Sequence, residues 1–366
     1  MSEKRFQTRR RRMLRLVRKA KADVMLVTNE SNVQWLTGFS GDSSWLLIGP
    51  DMELMLSDTR YTTQLANECP DVATSIRDAR QPMVDLLQSI LKKARIQTVA
   101  FESGSLTHEV WASIASAVTG ELVPATGIVE ELRQIKDSTE IADIRHAIRL
   151  AERGFECLRA ELQAEQSELQ VAHNLEHAMR RFGAERAGFD PIVAVGPQAA
   201  LPHARPGNRL IRESPVLLVD WGAETSSNYR SDLTRVLISG KLSKRMEKIY
   251  NVVLTAQLKA IDKIKPGAKC VDVDAVARNY IDKAGFGKYF GHGLGHGIGI
   301  DIHELPRFSP ISDGVLQPGM VVTVEPGIYL PGIAGVRIED DILVTRDGCE
   351  VLSSLPKRFE DAQVRL

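Results

Sequence analysis

Four carboxylates are embedded in the most apolar, strand-like runs of the second half of this chain. Asp220 ends ValLeuLeuValAsp at 216–220, Asp232 precedes LeuThrArgValLeuIle at 233–238, Glu325 ends MetValValThrValGlu at 320–325, and Glu339 lies within ValArgIleGluAspAspIleLeuVal at 336–344. Runs of this kind bury at least one face, and an acid kept charged there is costly unless a cation compensates it. The turn-rich GlyAlaGluThrSerSerAsn at 222–228 predicts two antiparallel strands that bring Asp220 and Asp232 face to face. Arg337 and Glu339 stand two apart on what reads as one strand over 336–344, so they project to the same side.

The histidines point the same way. His292, His296 and His303 cluster in GlyHisGlyLeuGlyHisGlyIleGlyIleAspIleHisGlu at 291–304, a run too rich in glycine for an ordinary helix and suited to close backbone approach. One imidazole with four carboxylates makes a mixed, mostly hard donor set that suits two divalent cations such as Mn²⁺, with Co²⁺ or Zn²⁺ as alternatives. Four negative charges balance two M²⁺ ions, and a water between them would lose a proton at neutral pH.

The rest of the chain frames this cluster. A length of 366 residues suits two domains, and 47 basic against 47 acidic side chains leave no overall electrostatic footprint for nucleic acid or an anionic membrane. No apolar stretch is long enough to span a bilayer, and the N-terminus lacks the order of a signal peptide, so the expected compartment is the cytoplasm. Cys69, Cys157, Cys270 and Cys349 are scattered, which predicts reduced, structural thiols.

Residues 1–23 carry ten basic and two acidic side chains, a net +8. Met13, Leu16, Val17 and Ala20 recur at helical spacing while Arg9 to Arg12, Arg15 and Arg18 point elsewhere, which predicts an amphipathic helix with a solvated basic face. Short apolar runs at 22–28, 44–49, 53–57 and 98–101 alternate with helical patterns at 82–94 and 107–118, the mark of an α/β domain. Asp137-Ser-Thr-Glu140 is a capping box that opens a long helix. Further helices are predicted from Ser167 (Leu169, Ala172, Leu175, Met179, Phe182 inward), over 243–264 and over 271–283.

The motifs, taken together and in order, resemble those of the creatinase and prolidase-like metallopeptidases of the pita-bread fold, which include Xaa-Pro dipeptidases and Xaa-Pro aminopeptidases. They are PheAspProIleValAlaValGly at 189–196, ProHis at 202–203, AspTrpGlyAla at 220–223, TyrArgSerAspLeuThrArg at 229–235, the His-Gly run, GluProGlyIleTyr at 325–329 and ValArgIleGluAsp at 336–340. LeuArgGlnIleLys at 132–136 and AsnValGlnTrpLeuThrGlyPheSerGly at 32–41 extend the likeness to the entry of the catalytic domain and to the N-terminal domain. The resemblance implies an α+β protein: a smaller α/β creatinase-type domain over 1–130, then a pita-bread catalytic domain over 131–366, an antiparallel sheet covered by helices.

It also implies roles. Asp220 would chelate one metal, His296 and Glu325 the other, and Asp232 and Glu339 would bridge both, with a metal-bridging hydroxide as nucleophile. His203, His292 and His303 would contact the scissile carbonyl, the tetrahedral intermediate or the leaving imino group. Glu325 would carry the proton to the leaving nitrogen, and Tyr229 and Arg337 would orient the carboxylates. A homodimer is implied as well. Asp220 and Asp232 stand twelve residues apart, one more than is usual in the family, and the insertion is expected in the Glu224 to Asn228 turn, since within a strand it would reverse a side chain.

Other chemistries are weaker. GlyPheSerGlyAsp at 38–42 misses the serine-hydrolase elbow, and HisAsnLeuGluHis at 173–177 matches another zinc-peptidase pattern but falls off the apolar stripe of its helix with no third ligand. Arg307 either clamps the C-terminal carboxylate of a dipeptide or makes a surface salt bridge. Dipeptidase therefore leads, with an aminopeptidase acting on longer proline-containing peptides as the alternative and a catalytically silent peptide-binding module as the reading from another class.

Overall fold

The computed structural model describes residues 2–366, which form two compact units, one reaching to Arg133 and the other spanning Gln134–Leu366.

The first unit opens with helix α1 (Ser2–Lys19) and is built on β1 (Val24–Val27), α2 (Glu30–Thr37), β2 (Trp45–Gly49), β3 (Met52–Asp58), α3 (Thr62–Glu68), β4 (Ala73–Arg77), α4 (Met83–Ala94), β5 (Thr98–Glu102), α5 (His108–Ala117), β6 (Glu121–Ala125) and α6 (Ile128–Arg133). Its six strands lie in the order β4-β3-β2-β1-β5-β6, with the β1-β2 and β2-β3 pairings antiparallel and the β3-β4, β1-β5 and β5-β6 pairings parallel. Leu26, Leu47 and Leu56 bury one face of the sheet against Leu87 and Leu91 of α4. At the end of the unit the Arg133 guanidinium donates to the Asn32 side chain (2.8 Å) and ties α6 to α2.

The basic helix departs from the expected pattern. Met13 and Val17 are fully buried, but so are Arg9 and Arg10, while Leu16 is only half-buried. Arg9 donates to the Trp35 carbonyl (2.9 Å) and lies over the Trp35 ring (4.4 Å), and Arg10 donates to Glu53 (2.7 Å), Asp71 (2.6 Å) and the Leu36 carbonyl (3.0 Å). The burial is possible because each guanidinium finds carbonyls, carboxylates or a ring face at its planar edge.

The second unit contains α7 (Ser138–Glu161), α8 (Glu168–Arg181), β7 (Arg186–Ala187), β8 (Ile192–Val195), β9 (Val216–Trp221), β10 (Ala223–Glu224), β11 (Leu233–Ile238), α9 (Lys244–Ile261), α10 (Cys270–Lys283), β12 (Gly295–Gly297), β13 (Glu304–Phe308), β14 (Val321–Val324), β15 (Gly327–Leu330), β16 (Ala334–Arg337), β17 (Asp340–Val344) and β18 (Cys349–Val351). Its strand pairs are all antiparallel, in sheets ordered β11-β9-β8 and β13-β12-β14-β17-β18 with the pairs β15-β16 and β10-β7. Capping boxes start both α7 at Asp137 and α8 at Ser167. Leu169 is exposed, a departure from the predicted stripe, because the first turn of α8 is anchored instead by buried Glu168, which accepts from the amides of Val195 (2.7 Å) and Gly207 (2.9 Å).

Helices cover both faces of the β11-β9-β8 sheet, so its strands are buried throughout. Leu217 and Val219 pack with α7 and α8, whereas Val216 and Leu218 pack with α9 and α10. Trp221 stacks on Phe155 at 4.2 Å and donates to the Ala151 carbonyl (2.9 Å), locking α7 to the end of β9. Among the described residues no helix is long and apolar enough to cross a membrane.

Candidate metal centre

The β9–β11 register pairs Asp220 with Thr234, so Asp232 falls two residues further along and is diagonal to Asp220 rather than face to face with it. The same register continues through the Glu224–Arg230 bridge to the Thr225 and Tyr229 backbone bond (2.9 Å). The added length is therefore taken up at the tip, 226–228, where Asn228 adopts φ 63°, and both aspartates keep the face they share with Thr234.

The predicted strand over 336–344 is broken. β16 ends at Arg337 and β17 begins at Asp340, and Glu339 in the gap bridges to Thr234 instead. Arg235 holds the break by donating to the Glu339 carbonyl (2.5 Å), and Thr234 donates to Glu339 Oε2 (2.7 Å). Glu325 follows β14 directly, its amide donating to the Leu294 carbonyl (2.8 Å). His296 is central in β12, a strand that must pass very close to its neighbours: a Cβ on Gly295 would lie 2.1 Å from the Thr323 carbonyl oxygen, and one on Gly297 would lie 2.1 Å from that of Leu305. The glycine run thus serves close approach.

These elements bring five side chains to one cavity of about 950 Å³, lined by Asp220, Asp232, His296, Glu325 and Glu339. His296 Nε2 lies 3.3 Å from Glu325 Oε1 and 3.5 Å from Asp232 Oδ2, and donor atoms of Asp232, His296 and Glu339 all fall within 4.8 Å of one another. The Gly297 carbonyl, 3.0 Å from His296 Nδ1, can only accept, so the ring proton is on Nδ1 and the lone pair of Nε2 faces the carboxylates.

Positive charge is scarce. Burial, then the charges of Glu339 and Asp220, pushes Asp232 well above the usual carboxylate range, and burial with Glu325 and Asp220 does the same to Glu339. Burial also pushes Glu325 up to about 8 and His296 down to about 4. Asp220 Oδ1 and Glu339 Oε1 are buried without a hydrogen-bond partner. A lone pair aimed at two carboxylates, beside orphaned carboxylate oxygens, is an arrangement that divalent cations fit.

Around the centre, Arg337 donates to Asp220, to Thr234 Oγ1 (3.0 Å) and to the Tyr329 hydroxyl (2.8 Å). Tyr329 in turn meets His292 Nε2 (2.9 Å), and the other ring nitrogen of His292 faces the Gly293 carbonyl (2.7 Å), so both nitrogens of His292 are engaged. His303 packs edge-on against His296, with ring centroids 4.5 Å apart. His203 and Arg307 are exposed on the cavity wall, and Arg307 is the cross-strand partner of His296, with no carboxylate among the described residues paired to it. Tyr229 is buried and its hydroxyl donates to Glu140 of α7 (2.8 Å). His173 and His177 are exposed on α8, away from this cavity.

Three residues escaped the sequence reading. Thr323 accepts from the His296 amide (3.1 Å) and donates to Glu325 (3.2 Å), Thr234 joins Arg337 to Glu339, and Tyr329 joins Arg337 to His292. The signal was present as threonines set within otherwise apolar strand runs.

Residues 142–346 match the model of metallopeptidase family M24, and residues 9–135 match that of the creatinase/prolidase N-terminal domain. The chain belongs to metallopeptidase family M24. This M24 peptidase has the family's two-domain creatinase-like architecture with a pita-bread second domain. It is 38% identical to the peptidase YqhT of Bacillus subtilis, covering 92% of this chain and 95% of that one. Among solved structures, an Xaa-Pro dipeptidase from Bacillus anthracis superposes with a TM-score of 0.93 at 37% identity, over 99% of this chain and 100% of the other. An X-Pro aminopeptidase from Thermotoga maritima gives 0.86 at 34% identity, over 97% and 100%.

Proposed function

We propose that this M24 peptidase is a dinuclear, metal-dependent hydrolase of the Xaa-Pro bond, with Asp220, Asp232, His296, Glu325 and Glu339 holding two divalent cations, Mn²⁺ before Co²⁺ or Zn²⁺. The observation that carries this reading is His296 Nε2 facing Glu325 and Asp232 at 3.3 and 3.5 Å. When bound, such cations acidify a water and polarise a carbonyl.

The chain's own groups do the rest. Glu325 takes the proton of the attacking water and delivers it to the prolyl nitrogen, which as a tertiary amide carries no hydrogen and must gain one to leave. Arg337 fixes Asp220, and Thr234 fixes Glu339, so the acids keep their aim. His203, His292 and His303 contact the carbonyl and the leaving group from the cavity wall. The Tyr229 hydroxyl is committed to Glu140, the capping-box acid of α7.

Dipeptidase activity is favoured by Arg307, an exposed guanidinium without an acidic partner, free to grip a C-terminal carboxylate beside the centre. Cleavage of longer peptides is the second reading, favoured by the likeness to the Thermotoga X-Pro aminopeptidase. Paired assays on Xaa-Pro and Xaa-Pro-Yaa peptides, with metal analysis of the purified protein, test both. Two metals and hydrolysis of the dipeptide alone are expected, and full activity after chelation would overturn the proposal. We assign the protein to the cytoplasm, a compartment that its four free cysteines suit, and to a homodimer, which sedimentation of the purified protein checks.

A further inference from the structure

The five-residue loop 290–294 that carries His292 has little stiffness of its own, with glycine on either side of the imidazole. Its shape is imposed from α10. Arg278 donates through Nη1 to the Phe290 carbonyl (3.2 Å) and through Nη2 to the His292 carbonyl (2.8 Å), so one planar guanidinium spans the loop. Its remaining edge is fixed by Asp274, one turn earlier, through two bonds of 2.7 and 2.8 Å. Asp274, which is 1% exposed, also accepts from the Leu294 amide (3.1 Å), so the pair holds both the carbonyls before His292 turns into the cavity and the amide just after it. Arg278 further lies over the Phe290 ring at 4.4 Å, and Phe290 meets the His292 ring edge-on at 5.1 Å.

We infer that Asp274 and Arg278 are positioning residues for His292, an ion pair with its carboxylate buried and its guanidinium partly exposed on the cavity wall, which sets the imidazole's place in the cleft. The inference rests on the reading of the cleft as an Xaa-Pro peptidase site. A guanidinium suits the task because two carbonyls and a carboxylate must be bonded in one plane, which the single point of an ammonium does not do.

The test uses the full-length, Mn²⁺-loaded protein and the variants Arg278→Leu and Arg278→Lys, each alone and combined with His292→Ala. Both single variants are expected to lower kcat by about a hundredfold on an Xaa-Pro dipeptide with KM and metal content unchanged, the cost of misplacing a group by an ångström or so. In the His292→Ala background the same substitutions should cost under about threefold, because the group they position is already gone. Nitrogen-15 spectra of the histidine rings, recorded with diamagnetic Zn²⁺ in place of Mn²⁺, supply a readout free of turnover: wild type should show His292 protonated at Nδ1, and the variants should lose that fixed signature. Where Arg278→Leu fails to fold, Arg278→Lys carries the test. Wild-type kcat in a folded variant, an undiminished loss in the His292→Ala background, or an unchanged His292 signal would overturn the inference. If the wild type cleaves no Xaa-Pro peptide, the proposed function fails while the nitrogen spectra still decide the positioning.

Discussion

Glu339 and Asp340 are neighbours, both 1% exposed, and they live in opposite electrostatic worlds. Behind the sheet, Asp340 accepts from Arg235 (2.7 Å), Ser353 (2.6 Å), Gln257 (3.0 Å) and Lys357, and although burial opposes it, the Arg235 and Lys357 charges hold its carboxyl below the usual range. On the cleft side Glu339 keeps an orphaned oxygen, and burial with the charges of Glu325 and Asp220 drives it upward. Buried charge by itself therefore does not mark a functional site in this chain. Several such charges short of counter-charge and converging on one cavity do, because only an outside cation balances them, whereas Asp341, also buried and pushed upward, stands apart from the cavity lining.

The most severe way to break the contrast is to withdraw that cation. Chelation should reduce Xaa-Pro hydrolysis by about a thousandfold or more, with recovery on adding Mn²⁺. Asp340 should be indifferent to this, so chemical unfolding of an Asp340→Asn variant should reveal a loss of about 3–5 kcal/mol whether or not metal is present. Glu339→Gln should do the reverse, abolishing turnover while leaving the metal-free protein at least as stable as wild type.

A finer cut separates the ligand candidates from their supports. Thr234→Val removes the hydroxyl between Arg337 and Glu339, and a metal titration should show affinity weakened by about 10–100-fold with the fold intact. Arg307 is a cation of the cleft wall without an acidic partner among the described residues, the mirror of its orphaned acids. Arg307→Ala should raise KM for dipeptides by about tenfold, since one charge-assisted contact is lost.

The smallest effect is in pH. The folded value of Glu325, about 8, lies above its ordinary 4.5, so its contribution to stability is fully present below about 4.5 and is lost as pH rises towards 8. In metal-free protein the stability of wild type relative to Glu325→Gln should accordingly decline across that window, and Asp340, displaced the other way, should lose its contribution only on the acid side. A flat difference would remove Glu325 from the group of uncompensated acids.

Much of this was legible in the residues. The capping box at Asp137, the helix start at Ser167, the acids within apolar strands and the glycine-spaced histidines are local patterns, and the helices and strands they announce are there. The first unit's strands β4 and β6 were not legible, because both are sheet edges: β4 is largely exposed and β6 contains Pro124, so neither shows a buried strand's apolar run. Arg9 and Arg10 were misread as solvated for a related reason. Their partners Trp35, Glu53 and Asp71 are distant in sequence, and helical spacing says nothing about what waits across a fold.

By itself, then, the chain's order of residues determined which chemistry was possible, by committing acids and imidazoles to elements that must be buried, and the family to which it belongs. Tertiary structure alone decided which acids lack a partner. It set the offset pairing of Asp220 with Thr234, the break that turns Glu339 towards the cleft and Asp340 towards Arg235, and the engagement of both His292 nitrogens. The physical reason is that compensation of a buried charge depends on groups within a few ångströms, and across these strands such groups lie up to a hundred residues or more away in the chain.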